Sequence, residues 1–124
     1  MAAILVIEDV PAVMISLRII LGGQGHEVTC TGVAKAGLEF LQKQRFDLVI
    51  SDIWMPGING TEIIRQGRQL APGTPFLAIT GGNPNSGDGR AASNEDKFGA
   101  DAVLFKPFEK SELLDSVAAL LPRA

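Results

Sequence analysis

Cysteine occurs once in the 124 residues, as Cys30, so no internal disulfide can form. Its place in an apolar, strand-like stretch reads as a small buried hydrophobe rather than a reactive thiol. Long hydrophobic runs are also missing. The longest, Met1 to Ile7, is far short of the roughly 20 residues a membrane helix needs. No basic segment precedes it, so no signal peptide is expected, and the expected location is the cytoplasm, without membrane attachment. Positive charge is sparse: 11 Lys and Arg stand against 14 Asp and Glu, scattered along the chain. That excludes the clustered basic face of a nucleic-acid binder and favours protein or small-anion partners. Repeats and low-complexity tracts are absent, which excludes solenoids and disorder. The chain has the length of one domain with a single core, and it is expected to form one from 1 to 124.

Short apolar runs alternate with helical patterns. The first run ends at Glu8 and Asp9, and Val10, Val13, Met14, Leu17, Ile20 and Leu21 follow at helical spacing. Gly22, Gly23 and Gly25 are expected to follow that helix and turn the chain into the strand "EVTCT". A phosphate-binding glycine loop requires strand before helix, the reverse of this order. Further helices are predicted around Val33 to Leu41, Ile63 to Leu70 and Leu113 to Leu121, with a weaker one between Arg90 and Phe98. The strands "LVIS", "FLAIT" and "AVLF" lie between them. Because these strands are continuously apolar, they should be buried on both faces of a parallel sheet. The expected fold is a three-layer, doubly wound α/β domain of five parallel strands and five helices.

In such sheets, functional groups gather outside the carboxyl ends of the strands. Glu27, Asp47 and Asp101 lie where strands begin and read as turn or cap residues. His26 falls in the turn before the second strand, remote from the carboxyl ends. Glu8, Asp9, Asp52, Thr80 and Lys106 lie where strands finish, so they should converge on one edge. Neighbouring strands run about 4.8 Å apart, and two carboxylates about 5 Å apart repel by roughly 3 kcal/mol at an effective dielectric of 20. A hard divalent cation offsets that repulsion, and a ligand set of oxygens alone selects Mg²⁺. Lys106 and Thr80 can hold an anion beside the metal, and Gly81 lets backbone N–H groups approach it. Metal, ammonium and hydroxyl around a carboxylate describe a site for phosphoryl transfer to that carboxylate.

The stretches "IEDV", "SDIWMPGINGTEI", "AITGG" and "FKPF" together resemble the response regulator receiver domain of two-component signalling, over the whole chain. The resemblance implies the flavodoxin-like strand order 2-1-3-4-5. It implies that Asp52 accepts a phosphoryl group from a sensor histidine kinase or a histidine phosphotransfer protein, giving a labile aspartyl phosphate. Glu8, Asp9 and the backbone carbonyl of Trp54 match the positions that join the acceptor in holding Mg²⁺, and Thr80 and Lys106 match those that bind phosphoryl oxygens. The Lys106–Pro107 bond matches one that is often cis in the family. Movement of Thr80 and the following loop would be read by a partner at the face of helix four, strand five and helix five.

By the same resemblance the protein is a switch rather than a turnover enzyme, although it supports its own phosphorylation and slow dephosphorylation. Val103 departs from the family's usual Tyr or Phe three residues before the lysine, and the loop from Gly81 to Gly89 is long and glycine-rich. The chain stops just after the last helix, so a stand-alone receiver is expected, with a segment of a longer chain such as a hybrid kinase as the alternative. A flavin-binding module shares the fold class, but Glu8 and Asp9 would put negative charge where the flavin's phosphate sits, and two other functions compete more closely. A degenerate receiver that only binds partners is disfavoured because all five site positions are filled. A Mg²⁺-dependent aspartate-nucleophile phosphatase would resemble its kind in a second aspartate two residues after the first, where this chain has Trp54.

Overall fold

The computed structural model describes residues 2–55, 58–81 and 99–121. Within them the chain runs β1 (Ala3–Ile7), α1 (Pro11–Gly23), β2 (Glu27–Thr31), α2 (Ala34–Lys43), β3 (Leu48–Asp52), β4 (Trp54–Met55), β5 (Ile58–Asn59), α3 (Gly60–Leu70), β6 (Phe76–Thr80), β7 (Ala102–Phe105) and α4 (Lys110–Leu120). The five long strands form one sheet in the order β2-β1-β3-β6-β7, and every pairing is parallel. This is the expected 2-1-3-4-5 order. The helix expected between Arg90 and Phe98 lies outside the described residues, and the expected last helix is α4.

The sheet is covered on both sides. On one face Leu17 and Leu21 of α1 join Leu113 and Val117 of α4 over Ile4, Val6, Ile50 and Ile79. On the other, Leu41 of α2 and Ile63 and Ile64 of α3 pack over Leu5, Ile7, Val49 and Phe76. The central strands β1, β3 and β6 are buried almost throughout, as their unbroken apolar runs require. Cys30 is half-buried on the edge strand β2, and burial pushes its thiol up, consistent with a packing role.

Two helical glycines let the layers close. A Cβ on Gly37 would lie 2.5 Å from Ile7 Cδ1, and one on Gly67 would lie 2.7 Å from the Phe76 ring. Close packing therefore outweighs the roughly 1 kcal/mol helix propensity that glycine forfeits. Gly22 and Gly23 form the last turn of α1 instead of following it. The reversal into β2 falls on Gly25, whose φ of 86° suits glycine.

The two-residue strands β4 and β5 pair antiparallel, directly after β3. Asn59 then caps α3, its Oδ1 accepting from Thr61 N at 2.9 Å. At the amino ends of the strands, Asp47 and Asp101 are caps in a specific sense. Asp47 Oδ2 accepts from Ala3 N at 2.8 Å, and Asp101 Oδ2 accepts from Phe76 N at 2.8 Å. Each aspartate ties the start of its own strand to the first amide of a neighbouring one. His26 sits at this same end, its Nδ1 accepting from Ala2 N at 3.2 Å.

Candidate functional site

The register of the sheet brings the expected residues together. Ile7 is level with Ser51 across β1 and β3, so the next residues, Glu8 and Asp52, stand side by side. Strand β6 lies between β3 and β7, which places Thr80 between Asp52 and Lys106 along the same edge. Backbone pairing persists to the ends of the strands: Glu8 N donates to Thr31 O, Ile53 N to Ile79 O and Lys106 N to Thr80 O, at 3.0, 2.9 and 2.8 Å. The Lys106–Pro107 bond is cis.

Glu8, Asp52 and Thr80 are buried, with relative exposures of 0%, 2% and 0%. Glu8 Oε2 accepts from Val10 N at 3.0 Å, and Asp52 Oδ1 accepts from Trp54 N at 3.1 Å. The Lys106 ammonium bridges the other two oxygens, 2.8 Å from Glu8 Oε1 and 3.3 Å from Asp52 Oδ2. Burial raises the Glu8 carboxyl above its usual range, and neither the Lys106 ammonium nor the Val10 amide reverses that. Burial acts to lower Lys106, yet Glu8 and Asp52 hold its proton more firmly than usual. Trp54, whose backbone carbonyl was expected as a ligand, is 39% exposed beside the site. A Cβ on Gly81 would meet nothing within 4 Å among the described residues.

One carboxylate oxygen from each of Glu8, Asp9 and Asp52 lies within 4.8 Å of the others. A single ammonium faces this group, and Asp9 Oδ1 is buried with no hydrogen-bond partner among the described residues. Repulsion of a few kcal/mol and an orphaned carboxylate oxygen are what a hard cation with oxygen ligands corrects. The residues fit Mg²⁺. Removing one charge should have the opposite effect on the metal-free state from the usual loss of a polar contact. Asp9→Asn is expected to stabilise the protein in chelator by about 1 kcal/mol, read as a higher urea midpoint. A lower midpoint would mean that Asp9 has a structural partner.

The family model for the response regulator receiver domain matches residues 4–118. This chain belongs to that family. Receiver domains are the phosphorylation-controlled switches of two-component systems, and the acidic cluster fits such a site. The cell cycle response regulator CtrA of Brucella ovis is 29% identical over 126 residues, covering 98% of this receiver and 50% of CtrA. The chain thus spans about half the length of the curated relatives it matches. Among solved structures, chemotaxis response regulator CheY4 of Vibrio cholerae is similar with a TM-score of 0.83 and 30% identity, over 98% of this receiver and 99% of that chain. Response regulator TrrA of Thermotoga maritima, solved in complex with Mg²⁺–BeF, has a TM-score of 0.81 and 29% identity, over 98% and 100% of the two chains.

The structure brings the expected acids, hydroxyl and lysine to one edge, and adds the unforeseen Val10 and Trp54 amides that bond Glu8 and Asp52. Backbone donors leave no mark in side-chain identity. Their one sequence signal is position, two residues beyond each carboxylate.

Proposed function

We propose that this receiver is a Mg²⁺-dependent phosphoacceptor, with Asp52 taking a phosphoryl group from the phosphohistidine of a sensor kinase or phosphotransfer protein. The observation that carries the reading is the meeting of Glu8, Asp9 and Asp52 within 4.8 Å, with the Lys106 ammonium on two of them. A carboxylate oxygen of Asp52 attacks phosphorus as the phosphorus–nitrogen bond breaks, and the departing imidazole keeps the electron pair. Lys106, already on the Oδ2 side, takes the phosphoryl oxygens, and Thr80 donates its hydroxyl from the adjacent strand. The Trp54 amide holds Oδ1 and so fixes the carboxylate plane. Glu8, Asp9, Asp52 and the Trp54 carbonyl would hold Mg²⁺, which supplies charge neutralisation for the transferring group.

Read-out at the face of β7 and α4 follows from the place of Lys106 and Thr80 at its rim. Val103 packs against the α2–α3 side of the core, so no aromatic ring at that position can couple to Thr80. No helix among the described residues is long and apolar enough to cross a membrane, in keeping with a cytoplasmic switch. The test is mass spectrometry after incubation with acetyl phosphate and Mg²⁺. One phosphate should appear, hydroxylamine should release it, and repeated turnover on small phosphate esters should be absent. Sustained ester hydrolysis would favour the phosphatase instead.

A further inference from the structure

We propose that Asp101 and Arg68 are positioning residues for Lys106: they lock β7 in register on β6 from the end of the strand farthest from the site. The inference rests on the role given to Lys106 above. Among the described residues β7 is an edge strand, bonded to β6 alone. Only Leu104 of its four residues is buried, whereas β6 is buried throughout. Ala102 and Val103 pack half-buried against opposite cores, so packing holds β7 less firmly than the fully buried strands. A slip of one residue would put Phe105 or Pro107 where Lys106 now meets Glu8 and Asp52.

Backbone pairing cannot prevent such a slip, because every residue but proline offers the same N–H and C=O. A side chain in the ladder can. Asp101 N donates to Phe76 O at 2.9 Å, and Asp101 Oδ2 accepts from Phe76 N at 2.8 Å, a closed pair that only this register allows. The other carboxylate oxygen, Oδ1, accepts from Arg68 Nη2 at 2.9 Å. Arg68 Nε donates to Gly99 O at 2.7 Å, and the guanidinium lies 5.7 Å from the centre of the Phe76 ring. One α3 side chain thus grips the chain on both sides of Ala100 and covers the first residue of β6. Lysine cannot reproduce this two-point grip.

The acidic cluster stands on β1, β3 and the residues after them, so loosening β7 leaves it in place. The experiment uses the full chain as wild type, Asp101→Ala, Arg68→Lys, Lys106→Ala and Asp101→Ala/Lys106→Ala. Mg²⁺ affinity is read from the fluorescence of Trp54, the one tryptophan, and phosphate acceptance from acetyl phosphate is timed at saturating Mg²⁺. Asp101→Ala should accept phosphate about tenfold more slowly, part of the effect of losing Lys106, with Mg²⁺ affinity undiminished. Arg68→Lys should fall between it and wild type. In the Lys106→Ala background, Asp101→Ala should cause no further slowing. Amide exchange at Leu104 should quicken while that of β1 stays unchanged.

Equal slowing in both backgrounds, or Mg²⁺ affinity falling in step with rate, would show a general loss of structure and overturn the proposal. An unchanged rate in Asp101→Ala would do the same. If wild type accepts no phosphate, the proposed function fails, while exchange at Leu104 still decides the lock: an unchanged rate there overturns it.

Discussion

Asp52→Asn is expected to abolish phosphate uptake from acetyl phosphate while leaving the fold intact. The amide is isosteric, and its oxygen can keep the Trp54 N–H bond that Asp52 Oδ1 now accepts at 3.1 Å. What it lacks is the anionic oxygen proposed to attack phosphorus. Glu8 is poorly placed to substitute for it, since Oε2 is engaged by Val10 N and Oε1 faces Lys106. Lys106→Ala keeps the nucleophile and loses the cation beside it, so uptake should slow by about a hundredfold rather than vanish. Intact-mass spectra of the three proteins under one set of conditions separate these outcomes. A phosphate that persists in Asp52→Asn would place the acceptor elsewhere.

Gly60→Ala should be the most destabilising single methyl addition in the described structure. A Cβ there would lie 2.4 Å from Ile53 Cα and 2.5 Å from Ile53 O, main-chain atoms that no rotamer change can move. Gly60 N also donates to Ile53 O at 3.2 Å, so relief of the clash breaks the bond that joins the start of α3 to the end of β3. A loss of about 3 kcal/mol is expected, seen as a lowered urea midpoint at an unchanged slope. Gly73→Ala is the control, since a Cβ at Gly73 meets nothing within 4 Å among the described residues, and its effect should stay within about 0.5 kcal/mol. Equal midpoints for the two variants would contradict the packing account.

The contrast between those glycines marks where the sequence stops being legible. Apolar runs ending at Glu8, Asp52, Thr80 and Lys106 reported the sheet and the edge where these residues meet, because burial on both faces and a polar group at a strand end both leave marks in residue type. Gly60 and Gly73 look alike in a string of letters. Only the path of the Ile53 backbone distinguishes them. Asp101 likewise reads as an ordinary turn residue before a strand, and its link to Phe76 N depends on a pairing between segments 25 residues apart. The ladder of β4 and β5 was missed because two residues are too few for any alternation to show. The ion pairs of Lys106 with Glu8 and Asp52 are what an ammonium beside an acid cluster implies, whereas the register that sets Ile7 level with Ser51 was not legible in strand identity.

Lys106 offsets only part of the repulsion within the carboxylate cluster, and a divalent cation would relieve the rest. The most direct measurement is the melting midpoint of the wild-type protein and of Asp9→Asn as Mg²⁺ is raised from chelator to tens of millimolar. A ligand that binds only the folded state stabilises it by about 2.7 kcal/mol at a hundredfold excess over its dissociation constant. The wild type should therefore show a saturable rise in Tm. Asp9→Asn should begin higher and rise much less, so that the two curves cross. A wild-type Tm that stays flat across the whole range would contradict the account.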